Sequence, residues 1–223
     1  MKHLKDITDW KECINTVVCG DSLELMKMIP DNAIDLCLTD PPYEIGIDGQ
    51  KRSINKNNPK ANRKEHEFMG WDTETPTREY FKEMIRISKN QIIWGGNYFV
   101  RYINPHKGWI FWDKGQRGLT MSDGELAYTS FDMPMRAVTF NRVEIKGKDT
   151  KTYHPTQKPL ELMRWCLQNG AKEGDLIFDG FADSFTTARA CKDMGFDWIC
   201  IDKEQKYAEI GEKRLEQEIL NFD

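Results

Sequence analysis

Apolar residues along the chain fall into short runs set between stretches of helical spacing. Thr16-Val17-Val18-Cys19 reads as a strand that passes through Gly20-Asp21 into a short helix, with Leu25, Met26 and Ile29 on one face and Pro30 as its stop. Ile34 to Thr39 is an apolar run of strand length, and it ends at Asp40-Pro41-Pro42-Tyr43 because proline cannot donate to a sheet ladder. Residues 44 to 74 carry no periodicity and are rich in Asn, Lys and Gly, which predicts a long loop of the kind that is usually functional or disordered. Thr75-Pro76 then predicts a helix start with a capping hydroxyl and a first-turn proline, Tyr80, Phe81, Met84, Ile85 and Ser88 marking one face. Gln91 to Trp94 and Trp109 to Trp112 read as strands, with Glu125 to Thr129 and Arg136 to Phe140 as shorter ones that can run antiparallel. A helix follows over Pro159 to Asn169, with Leu160, Met163 and Leu167 inward and Gly170 as its stop. Asp175 to Asp179 reads as a strand, Ser184 to Met194 as a helix ending at Gly195, and Asp197 to Asp202 as a strand. The final helix carries Tyr207, Gly211, Leu215 and Ile219 on one stripe.

Strands alternating with helices predict one α/β domain over residues 1–223, its mostly parallel sheet covered on both faces. Ligands then belong at the carboxyl ends of the strands. Composition agrees: 30% charged and 39% hydrophobic residues suit a globular enzyme rather than a disordered chain. The apolar runs are strand-sized, far short of a membrane span, and residues 1 to 10 alternate in charge without an apolar core, so a cytoplasmic protein is expected. Cys13, Cys19, Cys37, Cys166, Cys191 and Cys200 form no C-x-x-C pair and read as reduced core thiols. The four histidines show no ligand spacing, so no metal is expected. The net charge of -4 hides one strongly positive segment: Lys51, Arg52, Lys56, Lys60, Arg63 and Lys64 occur with no acidic residue among them.

Three segments carry chemistry. A carboxylate followed by two prolines can hold an amino group: Asp40 accepts its hydrogens, the stiff backbone at Pro41 and Pro42 fixes the direction of a carbonyl acceptor, and Tyr43 offers a flat surface. Alone, the same residues also make an ordinary turn that ends a strand. The second segment runs from Asp175 through Asp179, Phe181 and Asp183 to Ser184, Thr186 and Thr187, a strand, a small-residue turn and a helix N-terminus. Asp202 ends the next strand, 23 positions after Asp179, a spacing that suits an acidic residue on ribose hydroxyls. Without three glycines in G-x-G-x-x-G order it is also compatible with a plain crossover. The third is His154-Pro155-Thr156-Gln157-Lys158-Pro159, by itself a helix entry capped by Thr156.

Taken in order, Gly20-Asp21-Ser22-Leu23-Glu24-Leu25, Ile34 to Tyr43, His154 to Met163 and Phe178 to Thr187 resemble the amino-group DNA methyltransferases that modify N6 of adenine or N4 of cytosine. The arrangement is the permuted one, with the catalytic segment ahead of the cofactor loop. The resemblance implies a Rossmann-like methyltransferase fold that binds S-adenosylmethionine and methylates a base flipped out of double-stranded DNA. It implies that the strands ending at Thr39 and Asp179 are central neighbours. Asp40, Pro41, Pro42 and Tyr43 become the catalytic residues. For the cofactor, Asp202 would hold the ribose, Asp21 the adenine edge with Phe181 nearby, Asp179, Ser184 and Thr186 the loop, and Thr156 and Lys158 the methionine end. The family uses Asp at position 40 mostly for adenine.

The basic stretch from Lys51 to Lys64 would meet DNA phosphates, and residues 113 to 150, with Lys114, Arg117, Arg136, Asn141, Arg142, Lys146 and Lys148, would read bases. A second copy of the chain and a companion restriction enzyme are the other candidate partners. One departure stands out: the family loop has glycine where this chain has Asp183, and a carboxylate there would crowd and repel the methionine carboxylate, unless it accepts from the ammonium. Three readings follow: an adenine-N6 enzyme with N4-cytosine as its variant, a methyltransferase on another amine or amide, and a DNA-binding relative with an impaired cofactor site.

Overall fold

A computed structural model describes residues 1–44, 75–118, 122–141 and 157–216. The apolar runs become strands β1 (Lys2–His3), β2 (Val17–Cys19), β3 (Ile34–Thr39), β4 (Ser88–Trp94), β5 (Trp109–Asp113), β6 (Gly124–Thr129), β7 (Arg136–Thr139), β8 (Leu176–Asp179) and β9 (Asp197–Asp202). The helices are α1 (Ser22–Met28), α2 (Arg78–Ile87), α3 (Leu160–Gly170), α4 (Thr186–Met194) and α5 (Gln205–Glu216).

The strands form one sheet in the order β1-β2-β9-β8-β3-β4-β6-β5-β7, and β6 is the strand that runs against the rest. The chain passes from β2 to β3 and leaves room between them that β8 and β9 fill much later. Leu36 then lies beside Ile177 and Cys37 beside Phe178. From β3 the chain moves outward through α2 to β4, and from β8 it moves the opposite way through α4 to β9. Adjacent strands whose connections diverge open a crevice at their carboxyl ends. This is the neighbour relation the sequence implied for Thr39 and Asp179.

Successive side chains of a strand point to opposite faces, and here both faces are buried. Leu36, Leu38, Ile92, Trp94 and Ile177 pack with α3, α4 and α5, whereas Ile34, Cys37, Ile93, Phe178 and Ile199 pack with α1 and α2. The result is an α/β three-layer fold of the Rossmann-like kind, with a mixed, mostly parallel sheet. All six cysteines are free and buried. Among the described residues no helix is long and apolar enough to cross a membrane.

Several boundaries differ from the sequence reading. Helix α2 is capped at Thr77, whose side chain makes no capping bond, so Thr75-Pro76 lie ahead of it. Ser88 opens β4 rather than closing the helical face, because the backbone turns extended there and its Oγ accepts from Gln91 Nε2 at 3.0 Å. Strand β7 is parallel to β5, the chain having crossed to the far side of that strand. In α3 the inward face is Leu162, Met163, Cys166 and Leu167, Leu160 is half-buried, and Gly170 is the last helical residue. Helix α4 begins at Thr186, not Ser184, because Phe185 before it is left-handed at φ 57°. Ile219 lies outside the described residues.

Candidate active site

The Asp40-Pro41-Pro42-Tyr43 segment leaves β3 at the carboxyl edge of the sheet, beside the end of β4. Tyr43 bends back so that its hydroxyl donates to Asp40 Oδ1. Its ring stacks on Tyr98, with centroids 4.9 Å apart and planes 13° from parallel. Close approach to Gly95 makes this fit: a Cβ on Gly95 would stand 2.0 Å from Tyr43 Cε1, and Gly95 has φ +67°. Tyr98 itself is 49% exposed, so the aromatic pair opens toward solvent.

Lys158, just ahead of α3, donates to Asp40 Oδ2 and also approaches the Tyr43 hydroxyl at 3.3 Å. Its ammonium lies 3.1 Å from Glu125 Oε2 on β6, and the other oxygen of Glu125 is 2.5 Å from Lys114 Nζ just after β5. Two buried lysines and two half-buried carboxylates thus form a chain from the sheet's antiparallel side into the catalytic segment. Burial opposes the Lys158 charge, but the Asp40 and Glu125 carboxylates outweigh it and raise the lysine's pKa. At Glu125 the two lysines likewise overcome burial and hold the carboxyl down at about 2. At Asp40 burial prevails over Lys158, with Glu125 adding to it, and the carboxyl is raised above the ordinary aspartate value.

On the other side of the crevice, Asp179 ends β8. Its carboxylate accepts from Thr39 Oγ1 at 2.7 Å, Thr187 Oγ1 at 2.6 Å and the Phe181 amide at 3.1 Å. The bond to Thr39 ties the two central strands together at the residue before Asp40. Burial lifts Asp179 to about 6 despite these three donors. Asp202 ends β9 level with Cys19 of β2, and its two oxygens accept from the Glu204 and Asp183 amides at 2.8 and 2.9 Å. It is lifted to about 7, burial again the main cause. Asp21 caps α1 by accepting from the Leu23 amide and also takes the Tyr80 hydroxyl, both at 2.7 Å. The Tyr80 and Phe181 rings lie 5.5 Å apart. Asp21, Tyr80, Phe181 and Asp202 therefore line a crevice with an aromatic wall and two acidic ends.

Asp183 sits on the turn between β8 and α4 at φ +46°, backbone that glycine adopts freely and aspartate only occasionally. Burial, then Asp202, Asp40 and Asp179, push its carboxyl well above the ordinary range.

Ser184 and Thr186 do not face the crevice. Both are buried against Arg214 of α5, whose Nη1 reaches the Ser184 carbonyl at 3.0 Å and Thr186 Oγ1 at 2.9 Å. A left-handed Phe185 between them, seated where a Cβ on Gly211 would lie 2.3 Å from its Cδ2, turns the two hydroxyls inward. Lys158 meets Asp40 and Glu125. The proposed DNA contacts Lys51, Arg52, Lys56, Lys60, Arg63 and Lys64, together with Thr156, Arg142, Lys146 and Lys148, lie outside the described residues. Sequence reasoning missed Glu125, Tyr80 and Arg214. Each is one charged or aromatic residue in an ordinary amphipathic element, and the partners that tie it to the site come from other elements.

A profile of the DNA methylase family, covering N6 and N4 methyltransferases, matches residues 92–213, more than half of the chain. The Type II methyltransferase M.HinfI of Haemophilus influenzae is 26% identical over 256 residues, an alignment covering 92% of this chain and 69% of that protein. Among solved structures, the complex of M1.HpyAVI with SAM superposes with a TM-score of 0.56 at 20% identity, over 88% of this chain and 97% of that one. The cytosine-N4-specific PvuII DNA methyltransferase does so with a TM-score of 0.59 at 14% identity, over 90% and 86%. At those identities the structures speak for the fold.

Proposed function

The chain belongs to the DNA methylase family, and from that premise we propose that it methylates the exocyclic N6 of an adenine flipped out of double-stranded DNA, with S-adenosylmethionine as donor. One observation carries the reading: β3 and β8 are neighbours at the point where the chain's connections diverge, so the Asp40 segment and the acidic crevice of Asp179 and Asp202 share one opening. The crevice fits the donor. It offers the Asp202 carboxylate at the end of β9 for ribose hydroxyls, the Asp21 carboxylate at the start of α1 for an amino edge, and the Tyr80 and Phe181 rings for a flat base. When bound, that donor supplies an electrophilic methyl group.

The chain's own residues do the rest. Asp40 and the Pro41 carbonyl accept hydrogens of the target amine, orient its lone pair and steady the charge that develops on nitrogen. Pro42 keeps that carbonyl in place. Tyr43, fixed by Asp40 and Gly95, and the exposed Tyr98 stacked on it provide the aromatic edge of the pocket that receives an extruded base. The released proton passes to Asp40, whose carboxyl burial has made more basic. Lys158 keeps this carboxylate compensated in a buried place, and the basic segment from Lys51 to Lys64 meets phosphates.

Incubation with tritiated donor and unmethylated duplex DNA, followed by nucleoside chromatography, tests the reading. N6-methyladenine is the expected product. N4-methylcytosine would move the assignment to the cytosine variant of the same reaction. An unlabelled DNA would reject both. Asp40→Ala is expected to abolish transfer and leave donor binding within about twofold by calorimetry, since Asp202, Asp21 and Phe181 are untouched; loss of both together would contradict this division of roles.

A further inference from the structure

Glu125 has no place in the chemistry described so far, yet it is the residue through which the catalytic segment communicates with β5 and β6. Each of its oxygens faces a different lysine: Oε1 pairs with Lys114 at 2.5 Å, and Oε2 lies within ion-pair distance of Lys158, at 3.1 Å, without a formed hydrogen bond. Both lysines are buried, at 8% and 6% exposure, and a buried ammonium is retained only where carboxylates compensate it. Lys158 is therefore shared between Glu125 and Asp40, and Lys114 sets how much of Glu125 is free to share.

Sharing matters because Asp40 has two obligations. It must stay ionised in a buried site, which needs Lys158, and it must leave lone pairs for the target amine, which a lysine bound to it alone would occupy. A carboxylate on the far side of the lysine resolves this by drawing part of the ammonium away. We propose that Glu125 is a positioning residue of the methyl transfer: it divides Lys158 between itself and Asp40, and so sets how strongly the lysine competes with the target amine for the catalytic carboxylate. Lys114 tunes the division from the other end. The inference rests on Asp40 acting as the amine acceptor.

The charged and titratable groups facing Asp40 are Lys158 ahead of α3, Glu125 on β6, Tyr43 on its own segment, and Asp179 and Asp183 around the turn after β8. Glu125 in turn faces Lys114 and Lys158. Opposite signs follow for two substitutions. Glu125→Gln removes a negative neighbour and hands Lys158 wholly to Asp40, so the Asp40 midpoint falls. Lys114→Met removes a positive charge and leaves Glu125 to take more of Lys158, so the midpoint rises. A change of about one pH unit either way is expected for charges this close.

Carbon-13 titration of ligand-free protein labelled at aspartate Cγ reads this directly, the Asp40 signal being identified by its loss in Asp40→Asn. Neither donor nor DNA is needed, so the result is separable from failure of the proposed reaction, which would show as absence of label in DNA with the wild type. Shifts in opposite directions support the proposal; shifts in the same direction, or none, overturn it. Turnover on unmethylated DNA gives the second reading: Glu125→Gln is expected to lose tenfold or more in kcat and Glu125→Asp to recover most of it, whereas a Gln variant as fast as wild type overturns the role. Should Glu125→Gln fail to fold by thermal melting, Lys114→Met decides alone, and an Asp40 midpoint that stays or falls in it counts against the proposal.

Discussion

Asp183 is the residue at which local chemistry and the family pattern disagree. Its backbone is left-handed, so the glycine expected there has a steric reason, and aspartate is among the residues that tolerate the conformation. At the carboxyl, burial and three neighbouring carboxylates push it toward the protonated form. A protonated Asp183 repels a methionine carboxylate less, and an ionised one more. Asp183→Gly is therefore expected to bind S-adenosylmethionine about tenfold more tightly than wild type, with the gain larger at pH 8.5 than at pH 6. Calorimetric titration at the two pH values checks both. A weaker Gly variant would mean that the carboxylate receives the methionine ammonium instead.

At the scale of elements, the contact of α5 with the turn after β8 is the tightest constraint on the acidic crevice. Phe185 is fully buried, and the absence of a side chain at Gly211 makes the space for it. Gly211→Ala would place a methyl carbon 2.3 Å from the ring, so α5 or the turn must move. A loss of roughly 1–3 kcal/mol is expected, as for other overpacked cores, read as a lower midpoint in urea with unchanged slope. The elements themselves were legible in the sequence to the extent that their cause is local. Ile34 to Thr39 and Asp197 to Asp202 read as strands to the residue, because apolar runs and proline act where they stand. The start of α2 and the role of Ser88 were misread, since only the sheet decides that a helix passes into a strand without a loop. Glu125 and Arg214 could not be read at all: their partners lie 11 and 33 positions away for Glu125 and 28 to 30 for Arg214, and are chosen by the fold. The inward turn of Ser184 and Thr186 follows from one left-handed residue that no pattern announces.

For the whole molecule, burying acidic groups at the sheet's carboxyl edge carries a stability cost that depends on pH. Burial lifts Asp179 to about 6, against 3.8 for an aspartate in water, so between those values the folded state binds the extra proton. The contribution of this group is then greatest below the unfolded value and is lost as pH rises through about 6. Asp202, lifted to about 7, extends the same slope upward. The unfolding free energy measured in urea is expected to drop by about 2 kcal/mol from Asp179 alone between pH 4 and pH 7, and Asp179→Asn to flatten that part of the curve. Stability that rises over the same interval would show that ligand-free protein keeps these carboxylates hydrated.

The insertion of β8 and β9 between β2 and β3 also bears on how the protein is made. As the chain leaves the ribosome, β3 can recruit β4 within some fifty residues, but its other neighbour is about 140 positions further on. Until β8 emerges the middle of the future sheet is an open, apolar edge, the kind of surface on which strands of other chains add. Pairing at such separation is slow to form. The strand adjacency that brings the two halves of the site together thus leaves the nascent chain dependent, until β8 and β9 emerge, on whatever shields that edge.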